Sequence, residues 1–132
     1  MIADACQVLD DEVADKSGLG GLAIRGAYSA VKGIKPGFIR EVVDNLLDDF
    51  LDALDPMVQE AGQRGIPAGK YLAANGEPMA QKLLAITDAR VENSTRSLIR
   101  GTYSKLRPTA VKHVAAAAPR LGQMLDRHWP GA

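Results

Sequence analysis

The chain has 132 residues, 46% apolar and 24% charged, with a formal net charge of zero. That length fits one ordinary domain able to bury roughly two-thirds of its unfolded surface, and the composition excludes a disordered chain. A single cysteine, Cys6, excludes an intrachain disulfide, and no run approaches the ~20 apolar residues of a membrane span.

Aromatic residues are only 5%, so a core must be built from Leu, Val, Ile and Ala. No alternating Val/Ile/Thr run bounded by a hairpin turn is present, and helical periodicities dominate, which predicts an all-α fold. Residues 2–15 predict a short first helix with Val8, Leu9 and Val13 on its apolar side. The stretch also begins "MIADACQVLDDEVADK", acidic and unlike a secretory signal, so the expected compartment is the cytoplasm.

Ser17 is the expected N-cap of a second helix over about 18–34. That helix is rich in glycine, and an interior glycine costs up to ~1 kcal/mol against alanine. Ala23, Gly26, Ala30 and Gly33 align as one smooth stripe, expected to admit another helix backbone at close range. Pro36 then opens the strongest helical pattern, "PGFIREVVDNLLDDFLDALD". Its apolar arc is broad enough to touch two neighbours, while Glu41, Asp44, Asp48, Asp52 and Asp55 fill the opposite, solvated arc.

Pro56 ends or kinks this helix, with a short continuation to Ala61. Beyond the loop "GQRGIP", a brief helix is expected over 68–74 and another from Pro78 to about Val91. "ENST" predicts a break, followed by a helix to about Leu106. Pro108 is expected to open the last helix, to about His128, with Pro119 bending it.

"IRGAYS" at 24–29 returns as "IRGTYS" at 99–104. Each copy is followed by a basic link, a proline and an amphipathic segment that ends before another proline. This order predicts a duplicated helix-turn-helix unit: halves of about 17–56 and 94–130, joined by 57–93, packed about a pseudo-two-fold axis as a bundle of four main helices plus short ones. Gly26 and Gly101 are then expected at helix crossings. Duplication by itself accounts for the shared residues. The functional alternative makes Tyr28, Tyr103, Arg25 and Arg100 the candidate ligand-binding residues, with the arginines otherwise free to pair with the acidic helix.

Charge is unevenly spread. Residues 1–66 hold 12 acids and 6 bases, a balance of −6, and residues 67–132 hold 4 acids and 10 bases, a balance of +6. The halves are thus expected to attract each other, within one chain or between two, or else the charges simply dress solvated faces. The bases of the second half are spread along its helices without a compact trihelical pattern, so nucleic acid is not an expected partner.

The devices of catalysis and metal binding are missing. "GIPAGKY" fails as a phosphate loop: its glycine spacing is short, Tyr71 stands where Ser or Thr is required, and no strand precedes it. "GLGGLAIRG" lacks the spacing and the strand of a dinucleotide fingerprint. Two histidines and one cysteine make no zinc pattern, and the acidic stripe of the long helix points away from its apolar face. Cys6 reads as an apolar filler and His113 as a boundary residue. No catalytic, cofactor or metal residue is expected.

The strings "DEVADKSGLGGLAIRGAYSAVKGIKPGFI", "LLAITDAR" and "KLRPTAVKHV" resemble a family of small bacterial proteins of unknown function. The resemblance covers most of the chain. It implies a complete small bacterial protein and brings no assigned activity or binding residue.

These readings rank a non-enzymatic helical protein acting by self- or partner association, for instance as a homodimer, ahead of a small hydrophobic-ligand carrier. An enzyme of unrecognised type comes third, and would need a cleft that gathers His113, a carboxylate and an arginine.

Overall fold

A computed structural model describes residues 1–16 and 18–128, and every regular element among them is a helix. In chain order these are α1 (Ile2–Asp15), α2 (Gly18–Lys32), α3 (Phe38–Gln63), α4 (Ala68–Ala74), α5 (Gly76–Glu92), α6 (Ser97–Ala116) and α7 (Ala118–His128). The fold is all-α. Five of the seven helices have 14 residues or more, so a set of four main helices does not describe it. The expected N-cap Ser17 and residues 129–130 of the expected second half lie outside the described residues.

Proline behaves differently from the sequence expectation at three places. α3 starts at Phe38, after Gly37 has turned the chain with φ 74°, so Pro36 belongs to the preceding turn. α3 also runs unbroken through Pro56 to Gln63. Pro56 leaves the carbonyl of Asp52 without its amide partner, but both residues are exposed, so water can satisfy it. Buried Leu54, Met57 and Val58 on either side of the proline hold the helix in place. α6 passes Pro108 in the same way, with Ser104 one turn earlier exposed.

The break expected at Pro108 therefore falls at Ala117, and Pro119 sits in the first turn of α7, where a missing N–H is tolerated. This changes the reading of the repeat. The first hexapeptide lies on a 15-residue helix that ends at Lys32, the second on a 20-residue helix that continues to Ala116. The two segments are not the same helix-turn-helix unit.

The main buried cluster forms where α3, α4, α5 and α7 meet. Leu54, Met57 and Ala61 of α3 meet Tyr71 and Leu72 of α4, Met79 and Leu83 of α5, and Ala118, Met124 and Leu125 of α7. Full burial of a Leu or Met side chain contributes ~1.5–3 kcal/mol each. α1 and α6 supply no fully buried residue, and the apolar positions of α3 between Ile39 and Leu51 are only half-buried. α3 thus has a dense C-terminal half and a looser N-terminal half, while Glu41, Asp44, Asp48 and Asp52 face solvent as their spacing predicts.

Close backbone approach does occur, but between other glycines than expected. Added Cβ atoms at Gly26 and Gly101 would meet nothing within 4 Å, so neither residue marks a tight crossing. The tight crossing is between α4 and α7, where Gly69 and Gly122 touch.

Part of the charge asymmetry is resolved inside the chain. Arg90 of α5 pairs with Asp49 of α3 at 2.5 Å. Arg120 of α7 pairs with Glu12 at 2.9 Å and also with Asp15, both on α1. Near the other end of α1, Asp4 accepts from Arg127 and pairs with His128, each at 2.8 Å.

Candidate functional site: an apolar cavity beneath α1

α1 lies over the looser half of the molecule and covers a cavity of about 300 Å³. Val8, Leu9 and Val13 form its roof, at the helical spacing that already marked the apolar side of α1. Leu47, Phe50 and Leu51 of α3 form the floor, and Val114, Leu121 and Met124 of α6 and α7 close the far side. The wide arc of α3 explains the placement: one part packs into the core and another is left to line this space.

Among the described residues lining the cavity, three are titratable: Glu12, Lys16 and His113. Lys16 Nζ lies 3.3 Å from Glu12 Oε2, and the two side chains are only 15% and 13% exposed. Arg120 reaches the other carboxylate oxygen of Glu12 from α7. Burial lowers the pKa of His113, and the nearby charges of Lys16 and Lys112 lower it further, so its imidazole is neutral at neutral pH. Among the described residues no hydrogen bond joins His113 to a carboxylate, and no group of three His, Cys, Asp or Glu side chains is arranged to hold a metal ion.

The repeated hexapeptides sit elsewhere, and neither Tyr28 nor Tyr103 lines this cavity. Each tyrosine instead donates its hydroxyl to an aspartate on the preceding helix, Tyr28 to Asp10 of α1 and Tyr103 to Asp88 of α5. One turn on, a cation of the same helix shares that aspartate. Lys32 Nζ lies 3.6 Å from Asp10, and Arg107 holds Asp88 through Nε at 2.8 Å and Nη2 at 3.1 Å. Arg107, and then the Tyr103 hydroxyl, lower the pKa of Asp88. The sequence pattern Tyr-x-x-x-Lys/Arg thus repeats one local contact without producing a shared pocket. Arg25 donates to the Lys16 carbonyl at 2.8 Å and so ties α2 to the end of α1. Arg100 and Tyr103 border an open depression between α5 and α6 together with Glu92 and Arg107. The acidic helix is reached by Arg90, not by Arg25.

A family model described as a family of unknown function, DUF6918, matches residues 1–129. The chain belongs to the DUF6918 family. No curated protein and no solved structure matches it.

In this DUF6918 protein the cavity residues were visible in the sequence only as helix faces. Glu12 and Lys16 are an i,i+4 pair within reach of sequence reasoning, whereas Arg120 carried no signal, because its meeting with Glu12 depends on α1 crossing α7. His113 read as a boundary residue, and it does lie half-buried at the border of an apolar space. No described helix is long and apolar enough to cross a membrane.

Proposed function

We propose that this DUF6918 protein binds a small, predominantly apolar molecule in the cavity beneath α1. The observation that carries this reading is the cavity itself: about 300 Å³ with an almost wholly apolar lining. That volume is at the lower limit of ordinary ligand sites, ~300–1,000 Å³. It is about twice that of an engineered apolar cavity that accepts benzene. An apolar occupant would remove the lining side chains from water, which is the driving force for binding there. Of the two leading readings drawn from the sequence, the ligand carrier is therefore placed ahead of the association protein.

Titration with a neutral apolar fluorophore such as phenylnaphthylamine tests the proposal. Saturable binding by the folded protein is expected, and Val114→Phe, which fills the cavity, is expected to abolish it. A folded protein that shows no saturable uptake of such probes contradicts the reading.

Self-association in the cytoplasm is the second reading. Leu22 is 61% exposed on α2 and Leu98 is 46% exposed on α6. Leu22, Ala23 and Gly26 line a shallow groove with Thr102 and Leu106, and Leu98 lies one turn before Thr102 on the same side of α6. Sedimentation at low and high salt tests this; a strict monomer at high concentration in both rules it out.

Catalysis is the weaker reading. His113 and Glu12 do share the cavity, and an arginine joins them, but the Glu12 carboxylate is already engaged by two cations and makes no hydrogen-bonding contact with His113.

A further inference from the structure

We infer that the ligand of the cavity beneath α1 is a neutral hydrocarbon that carries no hydrogen-bonding group, about the size of two fused rings. This rests on the ligand-binding reading and adds the chemical class of the ligand. Three observations carry it.

The first is what the side chains present. Glu12, Lys16 and His113 all border the cavity, yet its lining is almost wholly apolar. They therefore turn carbon to the space and keep nitrogen and oxygen out of it. Lys16 Nζ is directed to one Glu12 oxygen at 3.3 Å, and Arg120 takes the other at 2.9 Å. Among the described residues no buried side-chain nitrogen or oxygen lacks a hydrogen-bond partner, so none waits for a ligand group.

The second is the backbone. The wall is built from helices, whose amides are bonded along their own axes. Where the lining reaches a helix end the amides are bonded as well: Ala5 to the Met1 carbonyl, Lys16 to Val13, Ala117 to Val114 and Leu121 to Ala117. The wall thus offers a ligand no free backbone donor. A hydroxyl or amine carried inside gives up its water and gains no partner, and an ionised carboxylate loses far more.

The third is size. The cavity, about 300 Å³, has roughly twice the volume of an engineered apolar cavity that accepts a single benzene ring. Compact two-ring hydrocarbons match it, and so small a molecule has every substituent close to the wall.

Fluorescence titration of the full-length protein with naphthalene, 1-naphthol and 1-naphthoate tests the assignment. Naphthalene is expected to bind about tenfold to a hundredfold tighter than 1-naphthol, the discrimination an apolar pocket makes against an added hydroxyl, and 1-naphthoate is expected not to bind. Val8→Thr, which adds a hydroxyl to the cavity roof, is expected to narrow the gap between naphthalene and 1-naphthol; if that variant fails to fold, the wild-type series still decides. 1-Naphthol binding as tightly as naphthalene, or saturable binding of 1-naphthoate, overturns the hydrocarbon class and leaves the apolar-ligand reading standing. Failure of all three to bind overturns both.

Discussion

Gly69 of α4 and Gly122 of α7 meet backbone to backbone: a Cβ on Gly122 would lie 2.6 Å from both Cα and O of Gly69. The approach brings the Gly69 amide within 2.9 Å of Asp126 Oδ1, one turn after Gly122 on α7. α4 needs this partner, because its N-cap is Pro67, whose side chain cannot accept a hydrogen bond. A glycine and an aspartate four residues apart on α7 thus dock and cap a seven-residue helix that has little helical stability of its own.

Gly122→Ala is accordingly expected to destabilise the fold by about 3 kcal/mol, the upper end of overpacking costs, since the obstructing atoms are backbone and cannot rotate away. Thermal or denaturant unfolding checks this. A variant with wild-type stability would mean that α4 and α7 do not touch.

Gly26→Ala and Gly101→Ala are expected to do the opposite. Both residues lie in helix interiors without positive φ, and an added methyl meets nothing within 4 Å. Each substitution is expected to stabilise the protein by up to ~1 kcal/mol through helix propensity alone. The same unfolding measurement tests it, and a loss of stability at either position would restore the expected tight crossing.

All three tyrosines are held neutral beyond their ordinary range. Burial and then the Asp10 carboxylate raise the pKa of Tyr28, burial and then Asp88 raise that of Tyr103, and Glu60 followed by burial raises that of Tyr71. Native protein is expected to form tyrosinate at higher pH than the unfolded chain, which titrates near ~10. Because the folded pKa values are the higher ones, their contribution to stability is complete below about pH 10 and is lost as pH rises from there through the folded values. Titration of native protein near the ordinary pKa would show that the hydroxyls are free.

Arg120 ties α7 to the C-terminal end of α1, as Arg127 and His128 tie it to Asp4. Arg120→Ala is expected to speed amide hydrogen exchange in α1 several-fold while the amides of the buried α3–α5 core stay protected, since α1 supplies no fully buried residue of its own. Added salt is expected to act in the same direction on the exposed Asp15 and Asp4 contacts. Uniform loss of protection across the chain would instead mean that α1 and the core open as one unit.

The all-α class, the extents of α1 and α4, the break before α6 and the solvated acidic stripe of α3 were legible because each rests on local periodicity or on a local breaker. The prolines misled where exposure changed the outcome: Pro56 and Pro108 sit on solvent-facing turns, where a lost hydrogen bond is replaced by water. The glycine stripe of α2 suggested close packing, but a stripe does not say whether a neighbour arrives.

By itself the sequence determined which faces of its helices are apolar, because side-chain spacing along a helix needs no other segment. Only the tertiary structure decided which face meets which. It seated Gly122 against Gly69, left Gly26 open, and set α1 over a space that α3 and α7 do not fill. Those outcomes depend on contacts between residues far apart in the chain, such as Glu12 with Arg120 at a separation of 108, and no local pattern encodes them.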